Sequence, residues 1–254
     1  MIDFTLKSYA EYVNTIKDRF ESILKFEEYF SHNNVQDRFC IIRHDVDRKP
    51  ENALKMAELE HDMGIYSTYF FRTKKHVFDK KIIRKIARMG HEIGYHYESL
   101  SDQNGNFNAA LADFKHNLFR MRQIVKVTTI CMHGRPFSNY DNKKLLKSEE
   151  NRKLLFEDLS IKGEVYIDID YSDIAYLSDT GRNWSKDISN IRDKIDSGIQ
   201  TDLNKREDLV GYLKNSHGKL ILLIHPERWS DDFWSYSNYL FIDIAVNFIK
   251  KFYK

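Results

Sequence analysis

From Phe39 onward, short apolar runs alternate with stretches whose apolar residues recur at helical spacing, and this alternation narrows the possible folds more than any other feature. Residues 39–43, 66–71, 91–97 and 128–132 read as strands. Between them, 51–63, 79–89 and 108–125 read as helices, the first two ended by Gly64 and Gly90. Further on, 164–170 reads as a strand and 174–177 as a short one. Residues 202–215 then form a helix, 219–225 a strand and 239–252 a closing helix. The charged stretch 141–156 is partly helical, and 178–200 is a long polar loop. Repeated strand–helix units predict a parallel sheet with helices outside. Six or seven of them suit an α/β fold of distorted or incomplete (β/α) TIM-like barrel type, with an open doubly wound sheet as the alternative.

Upstream, residues 8–30 read as an amphipathic helix. Tyr9, Tyr12, Val13, Ile16, Phe20, Ile23 and Leu24 fall at its spacing. A polar break at 31–37 follows. The expected organisation is a helical extension over 1–36 packed on one barrel domain over 37–254.

Composition removes some function classes. With 40 basic and 38 acidic residues the net charge is +2, which gives no electrostatic reason to expect nucleic acid or an anionic membrane as partner. The longest aliphatic run, 220–224, is too short to span a bilayer. The start lacks a basic stretch followed by an apolar one, so a cytoplasmic location is expected. Cys40 and Cys131 sit in apolar runs without zinc-site spacing and read as buried, reduced residues. No Gly-x-Gly-x-x-Gly or Gly-Lys-Ser/Thr loop follows a strand, which disfavours dinucleotide and P-loop chemistry.

The chemistry is positional. In parallel barrels the site forms at the C-terminal strand ends, and here those ends are rich in reactive groups. They carry Arg43-His44-Asp45-Val46-Asp47, Phe71-Arg72, His96-Tyr97-Glu98, His133-Gly134-Arg135, Asp168-Ile169-Asp170 and His225-Pro226-Glu227-Arg228. A lone strand-end His or Asp is usually a surface or capping residue; it is the combination that points to a site. In an extended stretch Asp45 and Asp47 point to the same side and repel one another when both are ionised, which a divalent cation relieves. One carboxylate with His96 and His133 would leave a water position open, as catalytic zinc sites require. The other carboxylate would be free to act as base, and His225 as acid.

These residues resemble the polysaccharide deacetylases, the NodB-homology or carbohydrate esterase family 4 proteins, over roughly 39–229. Asp45-Val46-Asp47 is similar to the family's first acidic motif. Gly90-His91-Glu92-Ile93-Gly94-Tyr95-His96 matches the second, the most specific local match in the chain. His133-Gly134-Arg135-Pro136 lies where the third, Arg-Pro-containing motif falls, and Leu222-Leu223-Ile224-His225-Pro226 looks like the fifth. The resemblance implies Asp45 as base, Asp47 and His96 as metal ligands and His225 as general acid. The family's second histidine, four residues after His96, is replaced by Leu100. His133 is the first candidate for the missing ligand and Glu98 the second. Asp168 and Asp170 fall near the fourth motif but match it poorly.

The implied reaction is hydrolysis of an N-acyl group, acetyl or formyl, from an amino sugar that is free, nucleotide-linked or lipid-linked, and an intracellular precursor of a surface polysaccharide. It would use one divalent ion, Zn2+ by expectation. Arg43 and Arg135 are expected to orient carboxylates, with Glu98 and Arg228 as further orienting or substrate-binding residues. Trp184, in the long loop, is expected to wall the substrate site. The alternatives are a decayed glycan-binding relative and a metal-dependent barrel hydrolase acting on a non-sugar substrate.

Overall fold

The computed structural model describes residues 3–31, 37–135, 138–182, 184, 195–199, 201, 203 and 205–250. Among these residues, eight parallel strands make one sheet. They are β1 (Ser22–Leu24), β2 (Phe39–Val46), β3 (Thr68–Phe71), β4 (Glu92–Tyr97), β5 (Thr129–Met132), β6 (Gly163–Glu164), β7 (Ile174–Ser178) and β8 (Lys219–Ile224). The main path runs β6-β5-β4-β3-β2-β8-β7, and β1 pairs with the start of β2. Its two end strands, β6 and β7, do not pair, so the seven strands curl into an incomplete (β/α) barrel with a seam. The helices are α1 (Leu6–Arg19), α2 (Phe26–Tyr29), α3 (Pro50–Asp62), α4 (Lys80–Arg88), α5 (Ser99–Asp102), α6 (Phe107–Arg122), α7 (Glu149–Lys153), α8 (Arg206–Asn215) and α9 (Phe233–Lys250). Among the described residues, no helix is long and apolar enough to cross a membrane.

Strand alternation divides the apolar residues into an inner and an outer core. Ile41, Phe70, Cys131, Tyr176, Ile221 and Leu223 fill the interior. Their neighbours in sequence face the helices: Cys40, Ile42, Leu220 and Leu222 pack toward α1 and α8, and Tyr69, Phe71, Tyr95 and Met132 toward α4 and α6. The same parity fixes the polar residues. Arg43, Asp45 and Asp47 continue the inward series of β2, as do His96 and Glu98 for β4, His133 for β5 and His225 for β8.

Two glycines of the second motif serve this geometry. Gly90 has φ +97°, which lets the chain turn from α4 into β4. At Gly94 a Cβ would stand 2.3 Å from the Phe70 ring, so only glycine lets β4 lie this close to β3.

Three sequence expectations are corrected. The helix over 8–30 stops at Arg19, and Phe20 leaves it with extended backbone. Residues 22–24 instead form β1, paired with residues 39–41 at the start of β2, where backbone pairing outweighs helical periodicity. The strand over 164–170 is only two residues long. Two carboxylates take its backbone N–H groups, Asp168 that of Glu164 (2.7 Å) and Glu164 that of Tyr166 (2.7 Å), and the chain turns. The closing helix begins at Phe233, six residues before the expected 239. Much of the loop 178–200, and residues 202 and 204 of the expected helix 202–215, lie outside the described residues.

Candidate metal and acid–base site

The ends of β2, β4 and β5 bring three ligand atoms together. Asp47 Oδ1 lies 3.1 Å from His133 Nδ1 and 3.4 Å from His96 Nε2, and the two imidazole nitrogens are 3.2 Å apart. A tetrahedral zinc with bonds of about 2.0–2.1 Å holds neighbouring donors roughly 3.3 Å apart, so this triangle has the dimensions of one face of such a site. His96 Nδ1 donates to the Cys131 carbonyl at 2.9 Å, which leaves Nε2 with a lone pair toward the triangle. Asp47 Oδ1 is buried and makes no hydrogen bond despite its two imidazole neighbours. Three acceptor atoms converging on one point, one of them without a proton to bond, fit a divalent cation. Burial pushes the Asp47 carboxyl up, but His133 and His96 more than offset this and hold it well below the usual carboxylate range.

Asp45 stands beside the triad but is held differently. Arg43 Nε and Nη2 reach its two oxygens at 2.8 and 2.7 Å. Burial raises the Asp45 carboxyl, and Arg43 and His96 outweigh it, so the group stays ionised. Arg43 is itself fully buried. It donates to Tyr166 Oη at 3.0 Å and lies over that ring, with its carbon 4.7 Å from the centroid.

Across the rim, His225 follows β8. Its Nδ1 bonds Asp179 Oδ1 at 2.6 Å, and its backbone N–H donates to Asp179 Oδ2 at 2.9 Å. Arg228 Nη1 (3.1 Å) and Trp229 Nε1 (2.8 Å) also donate to Asp179. Burial and Arg228 lower the His225 imidazole, but Asp179 prevails and its pKa is raised. Burial raises Asp179, and His225 with Arg228 bring it below its ordinary value.

The sequence reading missed Asp179. It was lost inside the long loop 178–200, although it directly follows β7, where the strand-end rule points to it. Glu227 was passed over as well. It is buried, its Oε2 has no hydrogen-bond partner, and burial with the charge of Asp47 pushes it up to about 7.

Other expected residues lie elsewhere. Leu100 is buried in the core from α5, so the position after His96 serves packing, and His133 stands in the triangle in its place. Glu98 is not one of the three residues of the triangle. Arg72 binds it through Nε (2.8 Å) and Nη2 (2.9 Å), and it stays close enough to His133 for that imidazole to help hold its carboxyl low. Arg135 does not hold a catalytic carboxylate either; it is half exposed and pairs with Asp102 at 3.3 Å. Arg228 orients Asp179 and lies 3.6 Å from Asp243. Trp184 is no substrate wall. At 3% exposure it stacks on Phe4 and packs against Trp229, with its Nε1 donating to Asp3. Asp168 pairs with Arg152, and Asp170 caps the Ser172 N–H at 2.9 Å; neither reaches the rim. The remaining polar residues of the second motif are structural. His91 bonds Ala57 O (3.0 Å) and Ser67 N (3.2 Å), and Glu92 accepts from Thr68 Oγ1 (2.7 Å) and Glu27 N (2.9 Å).

The fold and site thus define an incomplete (β/α) barrel with an Asp-His-His triad, an arginine-held aspartate and a histidine–aspartate pair on one rim. No protein-family model matches the chain, and no curated protein matches it in sequence. Some solved structures are similar to it in fold. One is the Xyl-CE4 domain of a multidomain xylanase from the hindgut metagenome of Trinervitermes trinervoides, 14% identical over 85% of each chain, with a TM-score of 0.41. Another is a family 4 carbohydrate esterase from Bacillus anthracis, 12% identical over 82% of this chain and 74% of that one, with a TM-score of 0.38.

Proposed function

We propose that the protein is a metal-dependent hydrolase that removes an N-acyl group, acetyl or formyl, from an amino sugar. The observation that carries this is the Asp47–His96–His133 triangle, set between an ionised Asp45 and a protonatable His225. Asp47, His96 and His133 would hold a divalent ion, with zinc favoured by one carboxylate and two imidazoles. When bound, it supplies Lewis-acid activation of water and of the acyl carbonyl. Asp45 takes the proton from the attacking water. Arg43 fixes the Asp45 carboxylate and keeps it charged. His225 gives its proton to the departing amine, and Asp179 holds the ring with Nδ1 toward the carboxylate and Nε2 free. The resemblance of the sequence motifs to polysaccharide deacetylases supports an N-acylated sugar over other amides.

The test is paired substitution with metal analysis. Wild-type protein loaded with zinc is expected to hold about one ion per chain. Asp47→Ala should lose the ion and turnover together. Asp45→Asn should keep the ion and lose turnover. A wild-type chain that takes up no zinc from excess would overturn the reading.

A further inference from the structure

Three carboxylates buried on the rim are held by donors of the chain. Asp45 has Arg43, Glu98 has Arg72, and Asp179 has His225, Arg228 and Trp229. Glu227 differs. It is 3% exposed, and its Oε2 is buried with no hydrogen-bond partner. A buried acceptor without a donor is costly and calls for an explanation. Glu227 stands two residues after His225, in the turn Pro226–Arg228. Its carboxyl lies within electrostatic reach of both Asp47 and His225, yet it is not part of the Asp47–His96–His133 group. The turn that carries it is fixed. Arg228 N–H donates to His225 O at 3.0 Å and Trp229 N–H to Pro226 O at 3.1 Å. Asn52 Nδ2 donates to Pro226 O (3.3 Å) and to Trp229 O (3.1 Å). Glu227 is thus an acceptor in a set place, between the triad and the proposed acid, for a donor that the ligand must bring.

The atom at which the acyl bond breaks decides what that donor is. In an N-acyl sugar it is a nitrogen that carries one hydrogen. In an O-acyl ester it is an oxygen that carries none. When the water oxygen bonds to the carbonyl carbon, the amide nitrogen becomes pyramidal, with one N–H and one lone pair. An acceptor for the N–H fixes where the lone pair points. With the N–H on Glu227, the lone pair is free to face His225 and take its proton. The carbon–nitrogen bond then breaks and the amine leaves with both hydrogens, while Glu227 exchanges no proton. An ester would bring only lone pairs to the same place and leave the carboxylate unpaired, and sites built to bond a substrate N–H reject analogues that lack it.

We infer that Glu227 is a specificity residue, which selects amides over esters by accepting the N–H of the scissile nitrogen. This rests on the deacylase reading and deepens it. The test compares N-acetylglucosamine with 2-O-acetylglucose, with acetate release as the readout, in zinc-loaded wild type and two variants. Glu227→Met keeps the bulk and removes the acceptor. Glu227→Gln keeps a carbonyl that still accepts. In Glu227→Met, kcat/KM for the amide should fall by roughly tenfold to a hundredfold, while that for the ester holds or rises and zinc content is unchanged. Glu227→Gln should restore most of the wild-type amide-to-ester ratio. A ratio unchanged in Glu227→Met, or both substrates falling in parallel, overturns the inference and leaves the deacylase reading intact. If neither sugar is hydrolysed by wild type, the deacylase reading fails. In that case, or where one rate is too slow for a ratio, ligand-detected NMR with glucosamine and glucose decides, because the amine of glucosamine brings N–H donors that glucose lacks at that carbon. A preference for glucosamine that disappears in Glu227→Met supports the inference. Equal binding of the two sugars to wild type, or a preference that survives the substitution, overturns it.

Discussion

Arg43 and Asp45 lie two residues apart on one strand and meet as a bidentate pair inside the barrel, with both carboxylate oxygens within 2.8 Å of guanidinium nitrogens. Parity makes this possible: residues i and i+2 of an extended strand share a face. The proposed base and the group that would orient it are thus carried by a single strand.

Arg43→Met would leave the Asp45 charge buried without its partner. Zinc content should hold, because Arg43 touches none of the three candidate ligands. Turnover should fall by roughly a hundredfold as the carboxylate loses its aim. Stability should drop by about 3–5 kcal/mol, the usual cost of breaking a buried pair from one side. Thermal melts and kinetics on the same zinc-loaded sample check both. A variant with wild-type turnover would remove Arg43 from the mechanism.

With His225 as the proposed acid, the His225–Asp179 pair should set the alkaline side of the pH profile. Burial and Arg228 lower the imidazole, and Asp179 raises it above its ordinary value. The acid form therefore persists to higher pH than a free histidine allows. Asp179→Asn removes the attraction for the imidazolium, so the alkaline limb of kcat should move to lower pH. A limb that stays in place would mean that His225 is not the group titrating there.

Stability in acid depends on a different carboxylate. Glu60 of α3 is fully buried and accepts from Tyr9 Oη, Ser67 Oγ (2.5 Å) and Tyr69 Oη (2.8 Å), with His44 Nε2 at 2.7 Å. Burial raises its pKa, but His44 and the other partners bring it from 4.5 to about 2. The folded value lies below the unfolded one, so the stabilisation is complete above pH ~4.5 and is lost as pH falls toward 2. That is on the order of 3 kcal/mol. Glu60→Gln should cost about this much at pH 7 and flatten the dependence of the denaturation midpoint between pH 5 and 3. An unchanged slope would show that another group governs acid unfolding.

Much of the barrel was legible because strand and helix periods differ and the strands are short and apolar; β2, β3, β4, β5 and β8 lie close to their expected bounds. Asp47, His96 and His133 were legible because each ends such a strand. What escaped depended on contacts between distant segments. Nothing local marks Asp179 as the acceptor of four bonds from 225–229. Trp184 looked like a sugar platform because its loop is polar, yet its ring is buried with Phe4 and Trp229, remote in sequence. Arg135 and Glu98 sit at strand ends as expected, but Arg135 pairs with Asp102 and Glu98 with Arg72, and neither partner belongs to a motif.

A barrel that stops short of closure keeps two free backbone edges, and such edges can recruit strands from other chains. Here the seam carries its own protection. The outer edge at β6 is only two residues long, and the ring of Phe30 lies against Gly163. Along β7, Ser197 Oγ takes the carbonyl of Ile174 at 2.7 Å, and Gly198 sits so near Ser172 that a Cβ there would fall 2.2 Å from its carbonyl oxygen. The open seam that sets the shape of the rim is thereby a poor template for self-association, and substitutions at Gly163 or Gly198 should surface first as aggregation rather than as altered chemistry.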